Sequence, residues 1–240
     1  MVRLFVPPER LQGEQATLDA AAHRHLVKVL RLEPGATLWV FDGKGTEIEA
    51  RIATVGKASL EVTLGDRRRI APPACTVTLL VSPPRGERMD LIVQKTTELG
   101  VAHIVPVLSQ RGMVRAGTHQ PRRWQKIAEE AARQSGRADV PSVSECLGLA
   151  TAIPQAAITS GKRFLLWEGE SARSLPSALA PGPRSVTLLV GPEGGFAPSE
   201  VANARECGFE VVGLGPRILR SETAAIVAVA LAQAAADGLG

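Results

Sequence analysis

The chain has 240 residues, 45% of them hydrophobic, enough to bury a core in one large domain or two modest ones. Its net charge of +4 is mild, and Cys75, Cys146 and Cys207 are odd in number, far apart and without a C-x-x-C pair, which argues against a disulfide framework or a zinc site. No apolar stretch approaches a membrane span except an alanine-rich tail that Gln233 interrupts, so the expectation is a reduced, cytoplasmic protein with no metal and no membrane partner. The arginines bunch at Arg67-Arg68-Arg69, Arg85 and Arg88, Arg111 and Arg115, and Arg122-Arg123. Such bunching suits a polyanion met by one face, and equally a set of solvated side chains.

Leu4-Phe5-Val6 reads as a short strand, and Asp19 is placed to cap a helix expected over 19–30, apolar at Leu26, Val29 and Leu30. On that helix Arg24, Lys28 and Arg31 share a face, either tracking phosphates or simply solvated. His23 and His25, two residues apart, do not share a helical face and make no metal pair. Three β-type runs follow at 37–41, 47–55 and 59–64, the first two joined by the hairpin signal Asp42-Gly43-Lys44-Gly45. Short strands around few apolar residues predict a small barrel. Residues 66–73, charged and then proline-stiffened, read as a linker whose arginines lie along RNA or only keep it soluble.

The second half repeats strand, helix, strand at 76–81, 87–99 and 101–108, the signature of a parallel α/β sheet. Lys95 and Glu98, three apart, are expected to form a structural ion pair. A loop over 109–119 leads to a helix over 121–135, where Trp124 is expected in the core rather than against a base. A strand over 163–168 ends in Trp167 and Glu168, at the border of a pocket.

Two apolar runs, Val186-Thr187-Leu188-Leu189-Val190 and Val211-Val212-Gly213-Leu214-Gly215, each end in a glycine-bearing loop, with a helix over 198–207 between them. Taken as neighbouring parallel strands, they bring both loops to the sheet edge where ligands bind. Neither G-x-G-x-x-G nor the Lys-Ser/Thr of a P-loop is present, which disfavours dinucleotides and triphosphates. A pocket lined by main chain suits an adenine edge or an amino-acid moiety. The tail over 222–237 is apolar all round and predicts a helix buried on every side, within its domain or against a second copy.

Leu189-Val190-Gly191-Pro192-Glu193-Gly194-Gly195-Phe196 and Leu214-Gly215-Pro216-Arg217-Ile218-Leu219-Arg220-Ser221-Glu222-Thr223-Ala224 resemble the signature of the RsmE family of knotted, SPOUT-type methyltransferases. His25-Leu26-Val27-Lys28-Val29-Leu30-Arg31, the segment from Arg88 to Val101, and Gln134-Ser135-Gly136-Arg137 extend the likeness, with Thr97 and Arg133 as departures. The resemblance implies an α/β fold in which a PUA-like β-barrel over 1–68 precedes a knotted parallel-sheet methyltransferase domain over 74–240. It implies a homodimer that uses S-adenosyl-L-methionine to methylate N3 of a uridine in 16S ribosomal RNA, within a small-subunit particle. Donor contacts fall to Leu166, Gly191, Gly195, Leu214, Gly215, Ile218 and Leu219. Arg220 aligns the substrate, and Glu222 or Glu193 accepts the proton, although helix-dipole stabilisation accounts for Glu222 equally well. RNA contacts fall to Arg3, His23, Arg24, Lys28, Arg31, Arg85 and Arg88. The alternatives are a non-catalytic RNA-binding module and, weakened by the missing motifs, a nucleotide-dependent oxidoreductase or phosphotransferase.

Overall fold

The computed structural model describes residues 2–112, 120–158, 160–170 and 172–236. Arg115 and the rest of the loop from 113 to 119 lie outside the described residues, as does Asp237. The chain divides into two compact units: Met1–Pro72 with Ala132–Val140, and Pro73–Ala131 with Pro141–Gly240.

In the first unit β1 (Arg3–Phe5), β2 (Gln15–Leu18), β3 (Thr37–Phe41), β4 (Thr46–Val55) and β5 (Leu60–Arg69) form one sheet in the order β1-β3-β4-β5-β2. The β3–β4 turn closes as its sequence predicts: the Asp42 carboxylate accepts from the backbone N–H groups of Lys44 (2.7 Å) and Thr46 (2.9 Å). Register shifts near Ile48/Ala50 and Ile52/Thr54 bend the long β4–β5 pair, and the sheet curls into a half-barrel. Alternate residues of β4 and β5, among them Ile48, Ile52, Leu60 and Val62, fill its concave side with Leu18, Leu26 and Leu38. Residues 132–140 complete a satellite cluster, in which Phe41 packs with Ala132 and Ala138, a contribution that no sequence pattern announces.

Two expectations for this unit change. The arginines at 67–69 belong to β5 rather than to a linker, because they pair in register with Thr46, Glu47 and Ile48 of the neighbouring β4. Glu47 is 1% exposed, and a buried carboxylate has to be paired. Arg68 donates to it at 2.9 and 2.6 Å while lying 4.0 Å above the Trp39 ring, and Arg3 pairs with its other oxygen. Arg67 donates to the Leu11 carbonyl. The helix expected over 19–30 forms, but it is not α-helical throughout. Asp19 caps α1 (Ala20–His23) by accepting from Ala21 and Ala22, and residues Arg24–Val29 then widen into a turn of π-helix.

The second unit contains β6 (Thr76–Val81), α2 (Arg88–Glu98), β7 (Val101–Leu108), α3 (Gln120–Ser135), β8 (Ser142–Val143), β9 (Leu147–Gly148) and α4 (Leu149–Ile158). It continues through β10 (Lys162–Leu166), α5 (Leu175–Leu179), β11 (Ser185–Val190), α6 (Pro198–Glu206), β12 (Glu210–Val212) and α7 (Ser221–Ala235). The end of α3, from Ala132, counts with the first unit. The sheet runs β12-β10-β11-β6-β7-β8, and every ladder is parallel. Apolar runs such as Leu188-Leu189-Val190 suit strands covered on both faces. Trp124 is buried as expected, and Lys95 meets Glu98 at 2.9 Å.

The strands β11 and β12 are not neighbours: β10 lies between them. Within this one chain the tail helix buries one face. Ala225, Ala228, Val229 and Ala232 face the core, while Ile226, Val227, Ala230 and Leu231 remain half-buried. At its far end Gln233 donates to the carbonyls of Cys75 (3.0 Å) and Gly100 (2.9 Å), which accounts for a polar residue in an apolar helix.

Candidate active site

Because β10 separates β11 from β12, three strand ends contribute to one cleft of about 440 Å³ in the second unit. The loop after β11 supplies Gly191 through Phe196, the end of β10 supplies Leu166, Trp167 and Glu168, and the loop after β12 supplies Leu214 through Arg220. All seven expected donor-contact residues line this cleft, as do Arg220 and Glu193. Glu222 does not.

Local bonds set the geometry. In the first loop the Gly195 N–H donates to the Pro192 carbonyl at 2.9 Å, with Gly195 at φ 66, a conformation that favours glycine. A Cβ there would stand 2.4 Å from the Glu168 carboxylate. The Ser221 hydroxyl donates to the Gly191 carbonyl at 2.7 Å, fastening the start of α7 to the first loop. Arg111 reaches the Gly194 carbonyl at 3.3 Å, and Glu200 accepts from Gln110 and from Ala197 at the start of α6. The second loop is held more loosely toward solvent: Ile218 is 85% exposed, and Arg217 and Arg220 are exposed beside it. Sequence reading did not single out Ser221 or Arg217. A serine at the first position of an apolar helix is the signal that would have found the former.

The candidate proton acceptors separate. Glu193 accepts from the Arg85 N–H (3.2 Å) and from the Arg88 guanidinium (3.1 Å). Glu222, in the first turn of α7, is buried with one oxygen 3.8 Å from Arg88 Nε and the other without a hydrogen-bond partner among the described residues. The arginine expected to meet RNA therefore joins the two carboxylates expected to take a proton.

The other expected RNA contacts scatter. Arg3 is largely buried, bound to Glu47 and to the Arg137 carbonyl (3.0 Å), and has a structural role in this geometry. His23 is 5% exposed, since it ends the short capped helix and packs inward. Arg24, Lys28 and Arg31 are exposed, but the shared α-helical face is not formed, because the π turn changes their spacing and Arg31 lies past its end at φ 56. Arg85 is exposed. Among the described residues no cluster of three or more His, Cys, Asp or Glu could hold a metal, and no helix is long and apolar enough to cross a membrane.

Residues 71–233 match the family model of an RNA methyltransferase domain, and residues 18–65 that of an RNA methyltransferase PUA domain. The ribosomal RNA small subunit methyltransferase E of Aquifex aeolicus is 34% identical over 236 residues, covering 96% of this chain and 98% of that protein. The chain belongs to the ribosomal RNA small subunit methyltransferase E family. The Synechocystis member is 33% identical over 232 residues, 95% of this chain and 76% of its own length. The crystal structure of the methyltransferase E from Neisseria gonorrhoeae, bound to S-adenosyl methionine, superposes with a TM-score of 0.87 at 33% identity, covering 98% of this chain and 97% of that one. The α/β unit with its parallel sheet and the curled PUA-type sheet are thus the family fold.

The cleft suits such a methyl donor by its own construction. Main-chain groups of two glycine loops can read polar edges, Leu166, Leu214, Ile218 and Leu219 supply apolar walls, and Gly195 leaves space that any side chain would fill.

Proposed function

We propose that the protein methylates N3 of a uridine in the 16S ribosomal RNA of the small subunit, with S-adenosyl-L-methionine as donor. The observation that carries this reading is the cleft at the ends of β10, β11 and β12, which gathers every expected donor contact in a chain of this family. When bound, the donor supplies a methyl group activated on a sulfonium. The protein's own task is alignment: Gly191, Gly195, Leu214, Gly215, Ile218 and Leu219 fix the donor's position, and near-attack geometry then does most of the work.

Uracil N3–H is a poor nucleophile until it loses its proton. Arg220, exposed on the cleft lining, is assigned to the developing uracil anion. The proton goes to a carboxylate on the lining, Glu193 or Glu168, and not to Glu222, which stands outside it beside Arg88. N3 is on the pairing edge of the base, so the target nucleotide is unpaired or flipped out. The curled sheet of the first unit is assigned to holding RNA, with exposed Arg24, Lys28 and Arg31, and Arg85 is assigned the same role on the second unit.

The half-buried stripe Ile226, Val227, Ala230 and Leu231 on α7 supports a homodimer, in which a second copy covers it. The strand order β12-β10-β11-β6, with its late crossovers, supports the knotted threading expected of the family. The reading puts the reaction in the cytoplasm, on a small-subunit particle. Transfer of a radiolabelled methyl group to 16S RNA in purified subunits, with loss in Arg220→Ala and retained donor binding, is the expected result. A folded wild type that binds RNA but no donor would establish an RNA-binding module instead.

A further inference from the structure

The segment between Leu26 and Leu32 in the first unit is anchored at both ends and bare in the middle. Leu26 is fully buried, and Val27 and Leu32 pack against the same core. The Leu30 N–H donates to the His25 carbonyl at 3.0 Å, closing the π turn, and the Leu32 N–H donates to the Leu26 carbonyl at 2.9 Å. Between these anchors Val29 is 68% exposed and Leu30 39% exposed. They put two adjacent aliphatic side chains toward solvent on a well-fastened turn. Arg24, Lys28 and Arg31 are exposed in the same stretch of chain, and Glu33 is the only acid between Asp19 and Asp42.

The backbone adds an independent sign. Among the described residues Arg31 is the only one other than glycine at positive φ, 56°. Glycine would adopt that conformation without strain, so the arginine is held there at a cost. Turns of π-helix also concentrate at functional positions. Strain, wide turn, exposed aliphatics and a cationic rim coincide within eight residues, Arg24 to Arg31.

We propose that Val29 and Leu30 form an apolar tip that packs against unstacked base faces of single-stranded RNA, while Arg24, Lys28 and Arg31 neutralise the flanking phosphates. The inference rests on the RNA substrate proposed above and adds how the strand is gripped. Paired RNA hides its base faces in the stack, so the tip discriminates single strands from duplex. The cations act through counterion release and are sensitive to salt; the aliphatics are not.

The test measures binding of the full-length chain to a single-stranded oligouridine of roughly a dozen nucleotides, to a duplex of equal length and to 16S RNA, over a range of salt. The double variant Val29→Ser, Leu30→Ser is expected to lose roughly three- to tenfold in affinity for the single strand, with its salt slope and its duplex affinity unchanged. Arg31→Gly, which keeps the turn, is expected to lower the slope by about one. An unchanged thermal midpoint shows that both variants remain folded. Equal single-strand affinity in wild type and double variant would overturn the inference and hand the patch to a protein partner. Failure of the wild type to methylate 16S RNA is a separate result: it removes the enzymatic reading and leaves the binding comparison intact.

Discussion

Arg88 holds two carboxylates at once, with Nη1 3.1 Å from Glu193 in the first glycine loop and Nε 3.8 Å from Glu222 in the first turn of α7. The two contacts are unequal. Glu193 is about a third exposed, where solvent screens an ion pair to roughly 0–1 kcal/mol, whereas Glu222 is buried and its other oxygen has no partner among the described residues. Arg88→Ala strands that buried carboxylate and is expected to cost about 1–3 kcal/mol. Glu193→Gln is expected to cost less than about 1 kcal/mol. Urea unfolding of both, and of Arg88→Ala combined with Glu222→Gln, checks the claim, since the added Gln should restore most of the loss. Equal midpoint shifts for the two single variants would mean that Arg88 does not serve Glu222.

Gly195 sets the shape of the donor cleft. A methyl group at this position meets Glu168 Oε1 at 2.4 Å and leaves a non-glycine residue at φ 66. The Glu168 side chain can move aside, so the collision is cheap; the backbone strain, about 1–2 kcal/mol, is not. Gly195→Ala is therefore expected to weaken donor binding by about tenfold in calorimetric titration, and Gly195→Val by more. Adding Glu168→Ala should recover only part of the affinity. Full recovery would show that the collision, and not the turn, sets the loss.

Two glycines of the second loop make a contrasting pair. At Gly213 a Cβ would stand 2.2 Å from the Glu170 carbonyl, a backbone atom that cannot swing away, while Gly213 also exchanges hydrogen bonds with Arg173 and Leu175. At Gly215, with φ 106, nothing lies within 4 Å. Gly213→Ala is expected to cost about 1–3 kcal/mol of stability or more by overpacking. Gly215→Ala carries only its backbone strain and should leave the larger share of its effect in donor affinity. Thermal unfolding and calorimetry together separate the two.

Asp19 supplies the pH dependence. The Ala22 N–H, followed by Arg10 and the Ala21 N–H, holds its carboxyl below the ordinary value of 3.8 against a smaller opposing effect of burial. A lowered folded-state pKa gives stability that is fully present above the unfolded value and lost as pH falls through the folded one. Asp19→Ala is expected to cost about 1 kcal/mol at neutral pH. The gap between variant and wild type should close as the pH is taken below 3.8. A gap that persists in acid would trace the loss to something other than the ionised cap.

Local signals were legible and non-local ones were not. The hairpin at Asp42, the cap at Asp19 and the two glycine loops each rest on neighbours within a few residues, and the structure forms all of them. The insertion of β10 between β11 and β12 depends on pairings across 24 residues on one side, Lys162 with Val186, and 46 on the other, Phe164 with Glu210, and no periodicity encodes it. Arg67-Arg68-Arg69 reads as a soluble linker because the buried acid that recruits Arg68 lies 21 positions away. One extra residue per turn after His23 leaves the apolar spacing of Leu26, Val29 and Leu30 looking α-helical, yet it puts Val29 outside. The tail helix is legible as a helix, but its sequence does not say which face its own chain covers. Alanine and valine look equally apolar on a face the chain covers and on one it leaves half bare.

The first unit closes on residues from 132 to 140, long after its own last strand. A ribosome delivers the chain from its amino end, so the five strands emerge while Phe41 still lacks Ala132 and Ala138, and Arg3 still lacks the Arg137 carbonyl. At roughly 5–20 residues per second the unit waits on the order of several seconds for them. During that interval its open side is bare, and a fragment ended at Pro72 would keep it so permanently.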